Sequence, residues 1–371
     1  MKKLNWLVFS KTVFISVAGA VLFSFLHFPI PWMLGPLFAV MFAEGFLKQT
    51  LQWPPIFFKA ALIVIGFMLG SSFTHKAIAQ AVYHLPLMLL TTIGTILFCL
   101  IIGIIVAKVA KIDIRTGMIG FIPGAFAQMM ALSEEIEEVN TSIVGIMQLA
   151  RVLLLISIIP FILTLGIFSD PNLPMTSTVE VINTIHLLNF HWYDYLLIII
   201  IIGGFIIGAN LIHLPTPYLM GPLLAVISLK LIDLPTFELP SFIIVIAQLL
   251  FGTYIGLQMN VGEMKRYFNK VLLSTGIACI VLILFTMGFS WILTKLNTFT
   301  FVTGFLSIAP GGIDVMGFTA KEVHADLSMI TSFQLFRMFF MMTVMPPLLK
   351  LLFTKRVTFD FDHKIKDKMN H

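Results

Sequence analysis

Residues 27–40 read HFPIPWMLGPLFAV and residues 213–226 read HLPTPYLMGPLLAV, identical at eight of fourteen positions with an offset of 186. Two copies of a Pro-marked apolar motif this far apart point to an internal duplication, and the flanking sequence extends it. The same offset pairs Pro54 with Pro240, Ala61 with Ala247, Gly66 with Gly252 and Gly70 with Gly256. One inserted residue then moves the offset to 187, pairing Lys108 with Lys295, Thr116-Gly117 with Thr303-Gly304, Pro123-Gly124 with Pro310-Gly311 and Met129 with Met316. A compensating change restores 186, so that Ser142 pairs with Ser328, Gln148-Leu149 with Gln334-Leu335, Arg151 with Arg337 and Pro160 with Pro346. The motif residues Pro31, Gly35 and Pro36 have the counterparts Pro217, Gly221 and Pro222, and the duplication spans nearly the whole chain.

Composition says what solvent surrounds the two halves. Of 371 residues, 58% are hydrophobic and 11% charged, and the mean hydropathy is +1.01. That leaves too little polar material to coat a soluble globule, so lipid must be the solvent. Long apolar runs at about 6–26, 85–107, 142–168, 195–212, 271–294 and 328–352 approach the ~20 residues a spanning helix needs. Shorter stretches marked by Gly and Pro lie at about 32–47, 56–72, 116–132, 217–231, 241–257 and 301–318. Cys99 and Cys279 fall inside apolar runs with no partner at metal or redox spacing. The net charge of +5 arises from short loops and termini, as cytoplasmic loops of membrane proteins require, and it gives no basis for direct nucleic-acid binding. Met1 to Phe28 resembles a secretory signal, but Lys11 interrupts it and its counterpart at 195–212 is internal. It reads as an uncleaved first helix.

Loop charges bear on the orientation of the halves, because short cytoplasmic loops are enriched in Lys and Arg. In the first half, 71–84 holds only Lys76, whereas 108–115 holds Lys108, Lys111 and Arg115. The second half reverses this, with Lys265, Arg266 and Lys270 in 258–270 and only Lys295 after the next helix. The N-terminus (Lys2, Lys3, Lys11) and the tail (Lys355, Arg356, Lys364, Lys366, Lys368) read as cytoplasmic, and the linker at 169–194, without Lys or Arg, as external. The expectation is an all-α polytopic protein of the cell inner membrane, its two homologous halves forming an inverted-topology repeat. The predicted division is 1–168 for the first repeat, 169–194 for the linker, 195–354 for the second repeat and 355–371 for the cytoplasmic tail. Six stretches per half with an odd number of crossings require one stretch to enter and leave by the same side. The Pro-Gly segments at 116–140 and 303–326 fit a re-entrant element, because irregular backbone survives at membrane depth only when buried in protein or facing a watery cavity. This predicts about ten spanning helices plus two re-entrant elements; the alternative is twelve plain helices with Pro kinks.

Arg151 and Arg337 are the most informative polar residues, since each lies about ten residues into a long apolar run and a guanidinium cannot shed its charge. Each must meet carboxylates, carbonyls, water or an anionic solute. Gln148 and Gln334, three residues earlier and so on the same helical face, could share that ligand or hold the Arg in place. The Pro-Gly elements around Pro123-Gly124 and Pro310-Gly311-Gly312 let backbone approach a ligand, and a half-helix after them aims its amides at the midplane. Broken segments at corresponding positions of two halves are also the best sequence pointer to a transporter site. The alternative use of glycine is close helix packing, which Gly66, Gly70, Gly252 and Gly256 at four-residue spacing illustrate. Asp314 aligns with Ala127 and is a candidate Arg partner or proton site, with Glu134 and Asp326 as further ion-coupling candidates. His27 and His213 precede the Pro-x-Pro turns and read as caps or packing residues, since no second His lies at ligand spacing.

With PWMLGPL and PYLMGPL each followed by a Pro-Gly element and a QLxR helix, the chain resembles the bacterial membrane AbrB family with its duplicated membrane domain. The resemblance implies the labels carried by that family, ammonia monooxygenase or regulator of gene expression. A monooxygenase needs a redox metal or organic cofactor, and the nine scattered His form no facial set with carboxylates. A DNA-binding regulator needs a soluble basic module. The residues themselves point first to a secondary transporter for a small anionic solute, not an enzyme, with no catalytic residues, metal or cofactor. A membrane-embedded regulator acting indirectly is second and an oxygenase third. The expected partners are the bilayer and a small-molecule solute, with a homo-oligomer left open and no direct nucleic acid.

Overall fold

A computed structural model describes residues 5–349, apart from 125, 137, 165–191, 215, 235, 260–267 and 297–298. The tail at 355–371, most of the expected linker, Lys265 and Arg266 lie outside these residues. Every described element is helical. The first half contributes α1 (Trp6–Phe25), α2 (Pro31–Gly45), α3 (Pro55–Ser71), α4 (His75–Tyr83), α5 (Leu85–Ala110), α6 (Ile114–Phe121), α7 (Phe126–Glu135) and α8 (Thr141–Thr164). The second contributes α9 (Trp192–Leu211), α10 (Pro217–Leu231), α11 (Ser241–Gln258), α12 (Leu273–Lys295), α13 (Phe301–Ile308), α14 (Ile313–Glu322) and α15 (Leu327–Thr343), with one π-type turn, Phe268–Leu272, opening α12. Thus α9 begins inside the segment expected to be linker.

Five described helices, α1, α5, α8, α11 and α12, are long and apolar enough to cross a membrane, and a sixth crossing arises if α3 and α4 count as one bent span. That is fewer than the ten anticipated. The physical reason is helix length: α2 and α10 are 15 residues each, about 22 Å at 1.5 Å per residue. The segment 71–84, read as a loop, instead forms α4, capped where the Thr74 side chain accepts from the Ala77 N–H at 3.1 Å and turned 87° from α3.

The molecule is apolar on the outside, and its largely apolar interior also encloses polar side chains. Phe14, Leu97, Ile200 and Leu284 are exposed, whereas Thr12, Ser16, Thr253, Gln148 and Arg151 are buried. Such an apolar exterior is what a hydrocarbon solvent selects.

Helix ends are set in matched pairs. His27 and His213 both take φ 54° and terminate α1 and α9, where Phe28 N–H reaches Phe23 O and Leu214 N–H reaches Ala209 O, the bond of a left-handed C-terminal cap. Pro31 and Pro217 then open α2 and α10 at a position whose N–H would have no intrahelical partner. Packing between the halves is reciprocal as well: α2 lies on α11, and α3 lies on α10. A Cβ added at Gly70 would stand 2.7 Å from Leu223 O, and one at Gly256 would stand 2.6 Å from Leu37 O. Leu37 and Leu223 are themselves repeat counterparts. Cross-half polar contacts follow, with Lys59 Nζ donating to Tyr218 Oη at 3.1 Å and Thr253 Oγ1 donating to Ser16 Oγ at 2.9 Å.

The entries to α8 and α15 repeat one device. Asn140 Oδ1 accepts from Ile143 N–H at 3.2 Å while Asn140 N–H donates to Thr116 Oγ1 at 3.0 Å. Asp326 Oδ1 accepts from Met329 N–H at 3.1 Å while Asp326 N–H donates to Thr303 Oγ1 at 3.3 Å. Asn140→Ala and Asp326→Ala are each expected to cost about 1 kcal/mol, the usual worth of an N-cap. Denaturation midpoints of the purified variants check this.

Candidate functional site

The Pro-Gly elements are breaks between short helices, α6 to α7 and α13 to α14. Proline has no N–H, so Pro123 leaves Ile119 O without its helical donor, and Pro310 does the same to Leu306 O. The following long helix supplies the replacement. Gln148 Nε2 donates to Ile119 O and to Ile122 O, each at 2.9 Å. Arg151 Nη1 donates to Phe121 O at 2.9 Å and Ile122 O at 2.8 Å, and its Nη2 donates to Gln148 Oε1 at 2.8 Å. In the second half Gln334 Nε2 donates to Leu306 O at 2.7 Å and Ala309 O at 3.0 Å. Arg337 Nη1 donates to Ile308 O at 2.7 Å and its Nη2 to Ala309 O at 3.0 Å and to Gln334 Oε1. Each Gln-x-x-Arg unit therefore caps the C-terminal end of a broken helix, placing a cation where the helix dipole favours one.

Both guanidiniums are buried, and among the described residues neither has a carboxylate within ion-pair distance. Their surroundings differ. Arg151 is 2% exposed, with its Nε–H enclosed and without an acceptor, beside a cluster that includes Cys99, Phe121, Met147, Cys279 and Leu282. Arg337 is 7% exposed and borders a crevice too narrow to admit a water molecule, lined also by Thr91, Thr92, Thr95, Ser307, Ile308 and Phe333. The cleft lies between α5 of the first half and α13 and α15 of the second.

The acidic candidates are placed apart. Asp314 lies in the first turn of α14, where its Oδ1 accepts from Val315 N–H at 3.0 Å. It follows Gly312, whose φ of 91° suits a residue without a Cβ. Asp326 is the exposed N-cap of α15, and Glu134 is exposed on the last turn of α7. Pro31, Gly35, Pro36, Pro217, Gly221 and Pro222 lie on α2 and α10, where Gly35 meets the backbone of Gly19 and Gly221 that of Ile206. The hydroxyls at Thr91, Thr92, Thr95 and Ser307 were missed by motif reading. Comparing the halves position by position would have found them, since their counterparts are Ala278, Cys279, Leu282 and Gly120.

An apolar exterior, buried hydroxyls and broken helices whose ends are capped by buried cations define an integral, multi-pass membrane protein. The family model described as "Transition state regulatory protein AbrB" matches residues 32–353, and the chain belongs to that family. It is similar to the "Putative regulator AbrB" of Escherichia coli (strain K12), 25% identical over 346 residues, covering 92% of this chain and 95% of the relative. It is also similar to the "Uncharacterized protein YhjN" of Bacillus subtilis (strain 168), 24% identical over 354 residues and 91% of each chain.

Proposed function

We propose that the protein is a secondary transporter for a small anionic solute, working by alternating access between two inverted repeats. The observation that carries this reading is the pair of buried guanidiniums with no carboxylate partner among the described residues. Carbonyl caps satisfy hydrogen bonds but leave two like charges uncompensated in a low-dielectric interior, and a bound anion supplies the missing charge. The crevice beside Arg337 is closed to a water-sized molecule in this structure, so on this reading the anion enters only when the halves move apart. Support for inversion comes from the reversed loop charges, and the reciprocal α2/α11 and α3/α10 packing suits two units that rock against each other. On this reading the short and bent helices complete about ten crossings, the Pro-Gly elements are re-entrant, and both termini lie on the cytoplasmic side of the inner membrane. Asp314, built into a break, is the first candidate for coupling to protons or sodium. No catalytic residue or cofactor is assigned.

Purified protein in liposomes is expected to take up at least one small carboxylate or inorganic oxyanion, and Arg337→Gln to lower that uptake more than tenfold while eluting as a folded species. Wild-type uptake by Arg337→Gln would remove the site. A second reading, a membrane-embedded regulator, draws on the family description and on the name of the Escherichia coli relative. It requires ligand binding without flux and a captured protein partner.

A further inference from the structure

We infer that water reaches the buried guanidiniums along one seam between the halves, α5 against α13 and α15, and that the repeat-equivalent seam, α12 against α6 and α8, stays closed. The inference deepens the transport reading and rests on it for there being an opening at all. The asymmetry follows from comparing the two seams position by position. On the first, Thr91, Thr92 and Thr95 of α5 border one crevice with Ser307 and Phe333. On the second, the same places hold Ala278, Cys279 and Leu282, with Gly120 and Met147 opposite.

What each seam would expose decides which one opens. Ala278, Cys279 and Leu282 are buried in a single apolar cluster with Phe121, Ile143 and Met147, and Met147 Sδ stands 2.8 Å from where a Cβ at Gly120 would be. Parting α12 from α8 would put that cluster into water, at a cost proportional to its apolar area. The first seam holds hydroxyls instead. Thr91 donates to Leu87 O at 2.9 Å and Thr95 to Thr91 O at 2.8 Å; opening leaves these bonds within α5 intact, and the threonine lone pairs can accept from water. Ser307 Oγ is buried without a hydrogen-bond partner and would gain one. Arg151 Nε–H, also without an acceptor, would gain as much on the second seam, but only after the apolar cluster had opened. The first crevice is shut to water in this structure. One turn further along α5 and α15 it ends at a small separate cluster, Met88, Met329 and Phe333. Phe333 belongs to both the crevice and this cluster, so its ring is the gate, an apolar constriction that excludes water until it moves. With both termini cytoplasmic, α5 starts at the outer face and the hydroxyl seam leads outward from the midplane.

The chain carries its own reporter. Cys279 occupies the counterpart position of Thr92, so Thr92→Cys in the otherwise native protein places one thiol on each seam of the same molecule. The test is alkylation of this full-length variant in liposomes by N-ethylmaleimide, with the rate at each position read by peptide mass spectrometry. Position 92 is expected to react at least tenfold faster than Cys279. Unfolding would bring the two thiols to the same rate and so could not mimic that result. Adding Phe333→Ala should raise the rate at position 92 at least threefold and leave that of Cys279 as it was. A membrane-impermeant methanethiosulfonate should reach position 92 from outside right-side-out membrane vesicles. Equal rates at the two positions, a faster Cys279, or no reaction at either overturns the inference, and access from the cytoplasmic side alone overturns the outward course. Selective labelling at position 92 in protein that shows no flux would support the seam and overturn transport. Flux together with equal labelling would do the reverse.

Discussion

An Arg151→Ala variant is expected to lose about 3–5 kcal/mol of stability, because it removes a charged donor from the Phe121 and Ile122 carbonyls in a site that water does not reach. Hydrogen bonds from charged groups contribute about 1.5–3 kcal/mol each, and stranding buried acceptors adds their desolvation cost. Gln148→Leu should cost less, about 1–3 kcal/mol, since Arg151 still serves Phe121 O and Ile122 O while Ile119 O loses its donor and Arg151 Nη2 its acceptor. Arg151→Lys falls with the alanine variant, because an ammonium is a point donor and cannot hold two carbonyls and the Gln148 amide in one plane. Denaturant titration in mixed micelles ranks the variants. If Arg151→Ala costs no more than Gln148→Leu, the cap is not what stabilises the break between α6 and α7.

Motif reading found the parts of this arrangement without finding how they join. The pairing of Arg151 with Arg337, and of each with a Gln three residues earlier, was visible because a duplication reports its own alignment. So were the breaks at Pro123 and Pro310, since proline removes a donor wherever it falls. Their connection was hidden, because the carbonyls that bind the guanidiniums are backbone and carry no sequence signature. Helix limits were legible where apolar runs end at charge, as for α5 between His84 and Lys111. They were not legible at 71–84, where Thr74 caps a short amphipathic helix that hydropathy alone reads as a loop. The polar cleft was obscured for a different reason: Thr91, Thr92 and Thr95 look like tolerated hydroxyls in a spanning helix until the aligned Ala278, Cys279 and Leu282 show that only one half keeps them.

The largest effect on assembly is expected at the glycines of the helix crossings. Gly66 and Gly252 are repeat counterparts, and a Cβ at either would be driven into a backbone oxygen of the other half, Leu219 O from Gly66 and Met33 O from Gly252. A flexible side chain could swing away; a carbonyl fixed in a helix cannot, so α3 must separate from α10 or α11 from α2. Overpacking of a side-chain core typically costs about 1–3 kcal/mol, and a backbone clash belongs at or beyond the top of that range. Gly66→Leu and Gly252→Leu should each abolish monodisperse elution of the protein in mild detergent, and the double variant should behave no worse than either single one, because one opened crossing already parts the halves. Gly203→Leu is the matched control, since nothing stands within 4 Å of a Cβ there and the added side chain meets open space. Normal elution of Gly66→Leu would mean that the two halves do not meet backbone to backbone, and the reciprocal crossing, on which a rocking motion between the repeats depends, would have to be abandoned.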